Sequence, residues 1–297
     1  MRIVVTGAAG MLGRDLVEIL REQHEVVPVD LAGVEDPLDI TDAAAVQARF
    51  EEARPDAVAH CAAYTNEDGC ERDPDQAYRV NALGTAAVAG ACRAVGARVL
   101  YVSTDFIFDG EKGSPYIEFD TPRPLGVYGA SKLAGERLVQ SLCPQHYIVR
   151  TQWLYGAHGR NFPLTILERA AQGQELRVVA DQVGVPTFTR DLSRAIAAIV
   201  AQPLYGTYHA ANRGEVSWHG FASRLLGMAG LDPALARPIS SAEWRSPTRR
   251  PAYSVLRPYV LEMLGLAGVL RPWEEALADF LEQVGRRSRT QDAATIK

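Results

Sequence analysis

The chain has 297 residues, 47% hydrophobic and 23% charged, which is enough for a sizeable core in one or two domains. A net charge of −5, with no basic block beyond the short pairs Arg249-Arg250 and Arg286-Arg287, argues against a nucleic-acid partner. No apolar run reaches the ~18 residues of a membrane span, and Met1 leads into a strand pattern rather than a secretory leader, so a cytoplasmic location without membrane contact is expected.

The first half alternates strands and helices. Ile3-Val-Val5 is a short apolar run that stops at a glycine loop, and Leu12, Leu16, Ile19 and Leu20 then fall on one helical face. Glu25–Asp30 reads as a second strand, Ala43–Ala53 as a second helix and Ala57–His60 as a third strand. Residues 74–95 are Ala-rich and helical; Arg98–Val102 is a fourth strand, Tyr128–Gln140 a helix and Tyr147–Arg150 a strand. This alternation predicts an α/β fold with a doubly wound parallel sheet of the Rossmann type. After residue 150 aromatic, glycine and proline residues become frequent, with helical stretches near 162–172, 189–201 and 218–229. The expected organisation is a dinucleotide-binding domain over 1–150 with a returning segment near 184–205, a smaller and less regular substrate-binding region over 151–287, and a frayed tail over 288–297. The four cysteines, Cys61, Cys70, Cys92 and Cys143, contain no C-x-x-C pair, so reduced and mostly buried thiols are expected rather than a disulfide framework.

Two local patterns carry chemistry. Gly7, Gly10 and Gly13 fall between the first strand and the first helix, where a backbone without side chains approaches a pyrophosphate and the helix N-terminus offers free N–H groups. A tight turn without a ligand is the alternative, but three glycines there cost conformational entropy to no purpose. Asp30 ends the second strand about 20 residues further on, where an acid accepts the ribose 2′-hydroxyl and repels a 2′-phosphate. Asp39-Ile40 either touches adenine or belongs to the helix start near Thr41-Asp42. The second pattern is Tyr128-Gly-Ala-Ser-Lys132: residues four apart share a helix face, so the ammonium is expected to lower the pKa of the phenol. Thr104, at the end of the fourth strand, is placed to hold a substrate oxygen beside Tyr128.

Longer strings then join these patterns: Thr6-Gly-Ala-Ala-Gly-Met-Leu-Gly13, Cys61-Ala-Ala-Tyr-Thr65, Asn81-Ala-Leu-Gly-Thr85, Ser103-Thr-Asp-Phe-Ile-Phe-Asp-Gly110, Val127–Glu136, Arg150-Thr-Gln-Trp-Leu-Tyr155 and Asp181-Gln-Val-Gly-Val-Pro-Thr187. Together they resemble the dTDP-4-dehydrorhamnose reductase family of the extended short-chain dehydrogenases/reductases, from residue 1 to about 260. The resemblance implies reduction by NADH or NADPH of the C4 ketone of dTDP-6-deoxy-L-lyxo-4-hexulose to dTDP-L-rhamnose, with a dTDP-sugar as the small-molecule partner. It implies catalysis by Thr104, Tyr128 and Lys132. Cofactor contact would come from Gly7, Gly10, Met11, Leu12 and Gly13, from Asp30, Asp39 and Ile40, from Ala62, Ala63, Tyr64 and Asn81, and from Tyr128 and Lys132. Sugar and nucleotide contact would come from Thr104, Asp105, Trp153, Asn161, Gln182 and Arg249. Trp153 also reads as a core or interface aromatic, Arg249 as a solvated charge, and His209 as a structural histidine at a strand end.

The chain departs from the family pattern in three places. Phe106 stands where a tyrosine is common, and Asn66-Glu67-Asp68 replaces a segment with a lysine. Some members form a homodimer around Mg²⁺; Asp15 stands at one ligand position, but Arg190 stands where another acid is expected, so no metal ligand is assigned. The competing functions are another nucleotide-sugar epimerase or reductase, and a non-catalytic regulatory subunit of the same fold. The intact Thr104, Tyr128 and Lys132 set argues against the last.

Overall fold

The computed structural model describes residues 1–35, 37–244 and 246–295, with side chains through Arg286. Six strands build the central sheet: β1 (Arg2–Thr6), β2 (Glu25–Val29), β3 (Ala57–His60), β4 (Arg98–Thr104), β5 (His146–Thr151) and β6 (Gly206–His209). They lie side by side in the order β6-β5-β4-β3-β1-β2, every neighbouring pair parallel. The chain winds from β1 outward to β2, then crosses back to β3 on the other side of β1. That reversal leaves a crevice at the carboxyl ends of β1 and β3, where open α/β sheets bind ligands.

Both faces of the sheet are covered, which is why β1, β3 and the middle of β4 run apolar without alternating with polar residues. Ile3 and Val5 pack under α1 (Met11–Leu20), with Leu16 and Leu20, and under the later helix Thr189–Val200, with Leu192, Ile196 and Ile199. Val4 points the other way, as a period of two demands. It meets Val46 and Phe50 of α2 (Ala43–Ala53), Val88 of the helix Thr85–Val95 and Val139 of the helix Val127–Leu142. Full burial of a side chain such as Phe50 contributes about 1.5–3 kcal/mol. Pro28 is tolerated in β2 because that strand is at the sheet edge, paired only with β1. The segment expected to return near 184–205 runs on to His209, since β6 pairs with β5.

The stretch 74–95 is not one helix. It runs as Pro74–Tyr78, a π-helical turn Arg79–Gly84, and Thr85–Val95. The wider turn brings the Asn81 side chain back to Tyr64, whose N–H it accepts at 2.8 Å and whose carbonyl it donates to at 3.0 Å. An Ala-rich pattern has the same helical propensity with or without one extra residue in a turn, so composition does not reveal it. The short helix Glu67–Arg72 is also absent from the expected elements; Asn66 caps it by accepting the Gly69 N–H at 2.9 Å.

The second region forms three small two-stranded sheets and its own core around Tyr155, Phe188, Phe221 and Phe280. The chain ends in the helix Trp273–Thr295. The tail expected at 288–297 falls on residues whose side chains lie outside the described ones. Among the described residues no helix is long and apolar enough to cross a membrane.

Candidate active site

The crevice opens into a cleft of about 850 Å³. Its floor at one end is the glycine loop. Gly7 has φ +70°, and a Cβ there would stand 2.7 Å from the Ala62 nitrogen; at Gly13 a Cβ would meet the Gly7 carbonyl oxygen at 2.0 Å. The strand, the loop and the helix thus approach more closely than any side chain allows. Helix α1 starts at Gly10 with no side-chain cap, so its first N–H groups, at Met11 and Leu12, are left for a ligand. These features fit the diphosphate of a dinucleotide.

Asp30 lies beside the loop. Its Oδ2 accepts the Ala9 N–H at 2.9 Å and its Oδ1 the Leu31 N–H at 2.6 Å, which fixes the carboxylate at the end of β2. Asp39, Ile40, Ala62 and Ala63 line the same end. The Asp39 carboxylate is already engaged by the Thr41 N–H and hydroxyl, each at 2.8 Å. Tyr64 and Asn81 do not line the cleft. Asn81 is buried behind the wall, where it holds the Tyr64 backbone and donates to the Ser131 hydroxyl at 3.0 Å. Both therefore lie behind the cleft wall and brace the segment after β3.

Thr104, Tyr128 and Lys132 converge in the cleft. Tyr128 and Lys132 sit one turn apart at the start of Val127–Leu142. That helix lies close over the end of β4 because Gly129 has no side chain; a Cβ there would be 2.1 Å from the Phe106 carbonyl oxygen. The Tyr128 ring meets Phe106 edge-on at 5.4 Å. The Lys132 Nζ donates to the Val102 carbonyl at 2.8 Å and stands 4.1 Å above the Tyr101 ring. Beneath it the buried Glu136 carboxylate is held by Arg150, at 3.0 Å from Nε and 2.8 Å from Nη2, and by the Ser103 hydroxyl at 2.6 Å. The Thr104 oxygen accepts the Phe106 N–H at 3.2 Å, and its hydroxyl donates to Asp105 Oδ1 at 3.1 Å.

The electrostatics differ from the expected Tyr-Lys coupling. Desolvation, reinforced by the Glu67 carboxylate and opposed by a hydrogen bond from Thr104, raises the Tyr128 phenol above its ordinary value. Removal from water dominates, and the phenol stays protonated. Burial pushes Lys132 down to about 7, against the pull of Glu136. Between pH 7 and about 9 the unfolded chain therefore keeps a proton on this lysine that the folded chain gives up, so stability rises with pH over that window. Above pH 9.0 the Cys61 thiol, pushed up to about 12 by burial, cancels this slope, and the Cys70, Cys92 and Cys143 thiols, also raised by burial, reverse it. Urea denaturation across this range is expected to show the rise in the native chain and a flatter profile in Lys132→Met.

The other end of the cleft is aromatic and polar. Asp105 Oδ2 is buried with no hydrogen-bond partner among the described residues, and burial pushes its carboxyl up to about 7. Trp153 has φ +45°, a strained conformation that its packing sustains. Its indole stacks on Trp218 at 3.6 Å, and Gly184 leaves room for it, since a Cβ there would be 2.5 Å from the ring. Asn161 lines the cleft while capping the helix Phe162–Ala171, and Gln182 lines it while donating to the Ser241 hydroxyl at 3.1 Å. Arg249 is exposed and does not line the cleft; its neighbour Arg250 does, paired with Glu67 at 2.7 Å. Of two adjacent arginines on a loop, only the path of the backbone decides which faces inward. Glu67, Arg250 and Trp218 are thus cleft residues that the sequence reading did not select. For Glu67 a signal existed in its place just beyond Thr65, at the carboxyl end of β3. His209 lies away from the cleft, buried with its N–H on Glu118 at 2.9 Å, and burial lowers it to about 3.

Asp15 is buried under Thr189, which donates to it, with the Arg190 guanidinium at 3.8 Å and His158 at 3.6 Å. The arginine supplies the positive charge a divalent ion would bring. Among the described residues no three His, Cys, Asp or Glu side chains gather. These residues do not fit a Mg²⁺ site.

Residues 1–286 match the family model described as the RmlD substrate binding domain. The chain is 43% identical to a dTDP-4-dehydrorhamnose reductase of Streptomyces griseus, over 97% of this chain and 96% of that one. It is 41% identical to a probable dTDP-4,6-dihydroxy-2-methyloxan-3-one 4-ketoreductase of Streptomyces antibioticus, over 96% of each. Among solved structures, the dTDP-4-dehydrorhamnose reductase of Bacillus anthracis in complex with NADP superimposes with a TM-score of 0.91 at 40% identity, over 95% of this chain and 99% of that one.

Proposed function

This chain belongs to the RmlD substrate binding domain family, and from that premise we propose that it reduces the C4 ketone of dTDP-6-deoxy-L-lyxo-4-hexulose to give dTDP-L-rhamnose. One observation carries the reading: Thr104, Tyr128 and Lys132 share a single cleft with the glycine cradle and with Trp153. A bound NADH or NADPH supplies the hydride.

The chain's own groups manage the oxygen. As negative charge gathers on it, the Tyr128 hydroxyl hands over its proton; the raised phenol pKa keeps that proton in place until then. The Thr104 hydroxyl, turned from Asp105, donates a hydrogen bond to the same oxygen. Lys132 is held in place by the Val102 carbonyl, which fixes its amine one helical turn from the phenol. The buried Asp105 oxygen offers an unfilled acceptor or, protonated, a donor to a sugar hydroxyl. Gly7 and Gly13 let the backbone reach the cofactor diphosphate, and Met11 and Leu12 offer it their N–H groups.

We assign Asp30 the choice between cofactors. Its fixed carboxylate suits a ribose hydroxyl and repels a 2′-phosphate, so NADH is the preferred donor. All four cysteines are free, which supports the cytoplasm as the compartment. The test is a coupled assay in which the dTDP-keto sugar is generated in situ and loss of nicotinamide absorbance is followed. Turnover is expected, faster with NADH, and Asp30→Ala should raise the NADPH:NADH ratio of kcat/KM. No oxidation of either cofactor overturns the proposed activity; an unchanged ratio in Asp30→Ala removes that carboxylate from cofactor choice.

A further inference from the structure

Glu67 begins the short helix that follows β3 and forms part of the cleft wall. One of its oxygens is fully used: Oε2 accepts from the Arg250 guanidinium, at 2.9 Å from Nε and 2.7 Å from Nη2. Arg250 is itself held, since its Nη1 donates to the Ser246 hydroxyl at 2.8 Å. Asp68 fastens the same loop by accepting from Ser246 at 2.8 Å and from Thr248 at 2.6 Å. The carboxylate is therefore fixed in place by the loop that carries Ser246, Thr248 and Arg250. Its other oxygen, Oε1, takes no hydrogen bond among the described residues. The short helix that Glu67 begins is tied to the helix of Tyr128, since Glu71 Oε1 accepts the Val127 N–H at 2.7 Å, and Glu67 and Tyr128 line the same cleft.

We infer that Glu67 is a specificity-determining residue, whose free Oε1 accepts a hydrogen bond from the sugar hydroxyl at C3 and so selects 4-keto sugars that carry it. The inference rests on the reductase reading above. With Tyr128 at the C4 oxygen, a group beside the phenol meets the neighbouring ring carbons; C5 bears the methyl group, and C3 bears the hydroxyl. Arg250 orients the carboxylate and offsets its desolvation. The name of the Streptomyces antibioticus relative, a 4,6-dihydroxy-2-methyloxan-3-one 4-ketoreductase, likewise describes a sugar that carries a hydroxyl on the carbon beside the ketone.

A hydrogen bond to a charged acceptor makes the native chain prefer the 3-hydroxylated sugar over its 3-deoxy analogue by about 10- to 100-fold in kcat/KM. Glu67→Met, of similar size with no acceptor, should bring the preference within about 3-fold, by raising KM for the hydroxylated sugar while sparing the 3-deoxy one. Glu67→Gln, which keeps an uncharged acceptor, should fall between. NADH binding, followed by fluorescence, should be unchanged in both variants and reports an intact cleft. If Glu67→Met fails to bind NADH, the native chain and Glu67→Gln decide. A native preference that either NADH-binding variant retains in full overturns the inference, as does a native chain that reduces both sugars equally well; both leave the reductase reading standing. A native chain that reduces neither sugar overturns the reading and the inference together.

Discussion

Tyr128→Phe is expected to lower kcat by about 10²–10⁴-fold while NADH binds as tightly as before. The substitution deletes one oxygen. The ring keeps its edge-on contact with Phe106 at 5.4 Å, and Gly129 keeps the helix seated over the Phe106 carbonyl, so the shape of the cleft is retained. What goes is the proton that must reach the ketone oxygen as the hydride arrives. Thr104 still donates a hydrogen bond, so the residual rate should exceed that in Thr104→Val/Tyr128→Phe. Single-turnover measurement of NADH oxidation at saturating sugar checks this, because it separates the chemical step from product release. Native-like rates would remove the phenol from the mechanism.

Arg150→Met is expected to destabilise the fold by about 3–5 kcal/mol, the usual cost of stranding a buried charge. Arg150 and Glu136 are both almost wholly buried and joined through two nitrogens, and Arg150 also donates to the Glu118 carbonyl at 3.3 Å. Without the guanidinium, Glu136 keeps only the Ser103 hydroxyl and the field of Lys132 one turn away. Arg150→Met/Glu136→Leu should recover most of the loss, since an apolar pair of similar volume needs no hydration. Urea denaturation of the two variants tests the argument; a cost below about 1 kcal/mol for the single substitution would mean that water reaches Glu136. The double variant should also bind and turn over less well than it folds, because Lys132 then lacks its negative neighbour.

The parts of this site that sequence determines are those whose geometry is local. Gly7, Gly10 and Gly13 announce a cradle because a strand, a turn and a helix start are set by neighbours in the chain, and the structure places a backbone approach at Gly13 that no side chain could occupy. Tyr128 and Lys132 share a face because one helical turn is four residues. Asp30 falls at the end of β2 because strand and helix lengths fix the distance from the loop. The parallel sheet follows in the same way, from alternation that obliges each crossover to carry a helix.

Tertiary structure decided the rest, for reasons that no spacing encodes. Lys132 finds its carbonyl partner at Val102, 30 residues away, and Asn81 turns to the Tyr64 backbone through a π-helical turn. The inward place of Arg250 rather than Arg249, and with it the pairing of Glu67, depends on how a loop from the far end of the chain crosses the cleft. The sign of the Tyr128 shift belongs here too: the pattern supplies a lysine one turn away, but only the packed structure shows that burial, with Glu67 adding to it, raises the phenol. Hydrogen-bond periodicity is written along the chain, whereas burial, and the charges it brings together, exist only once distant segments have closed on one another.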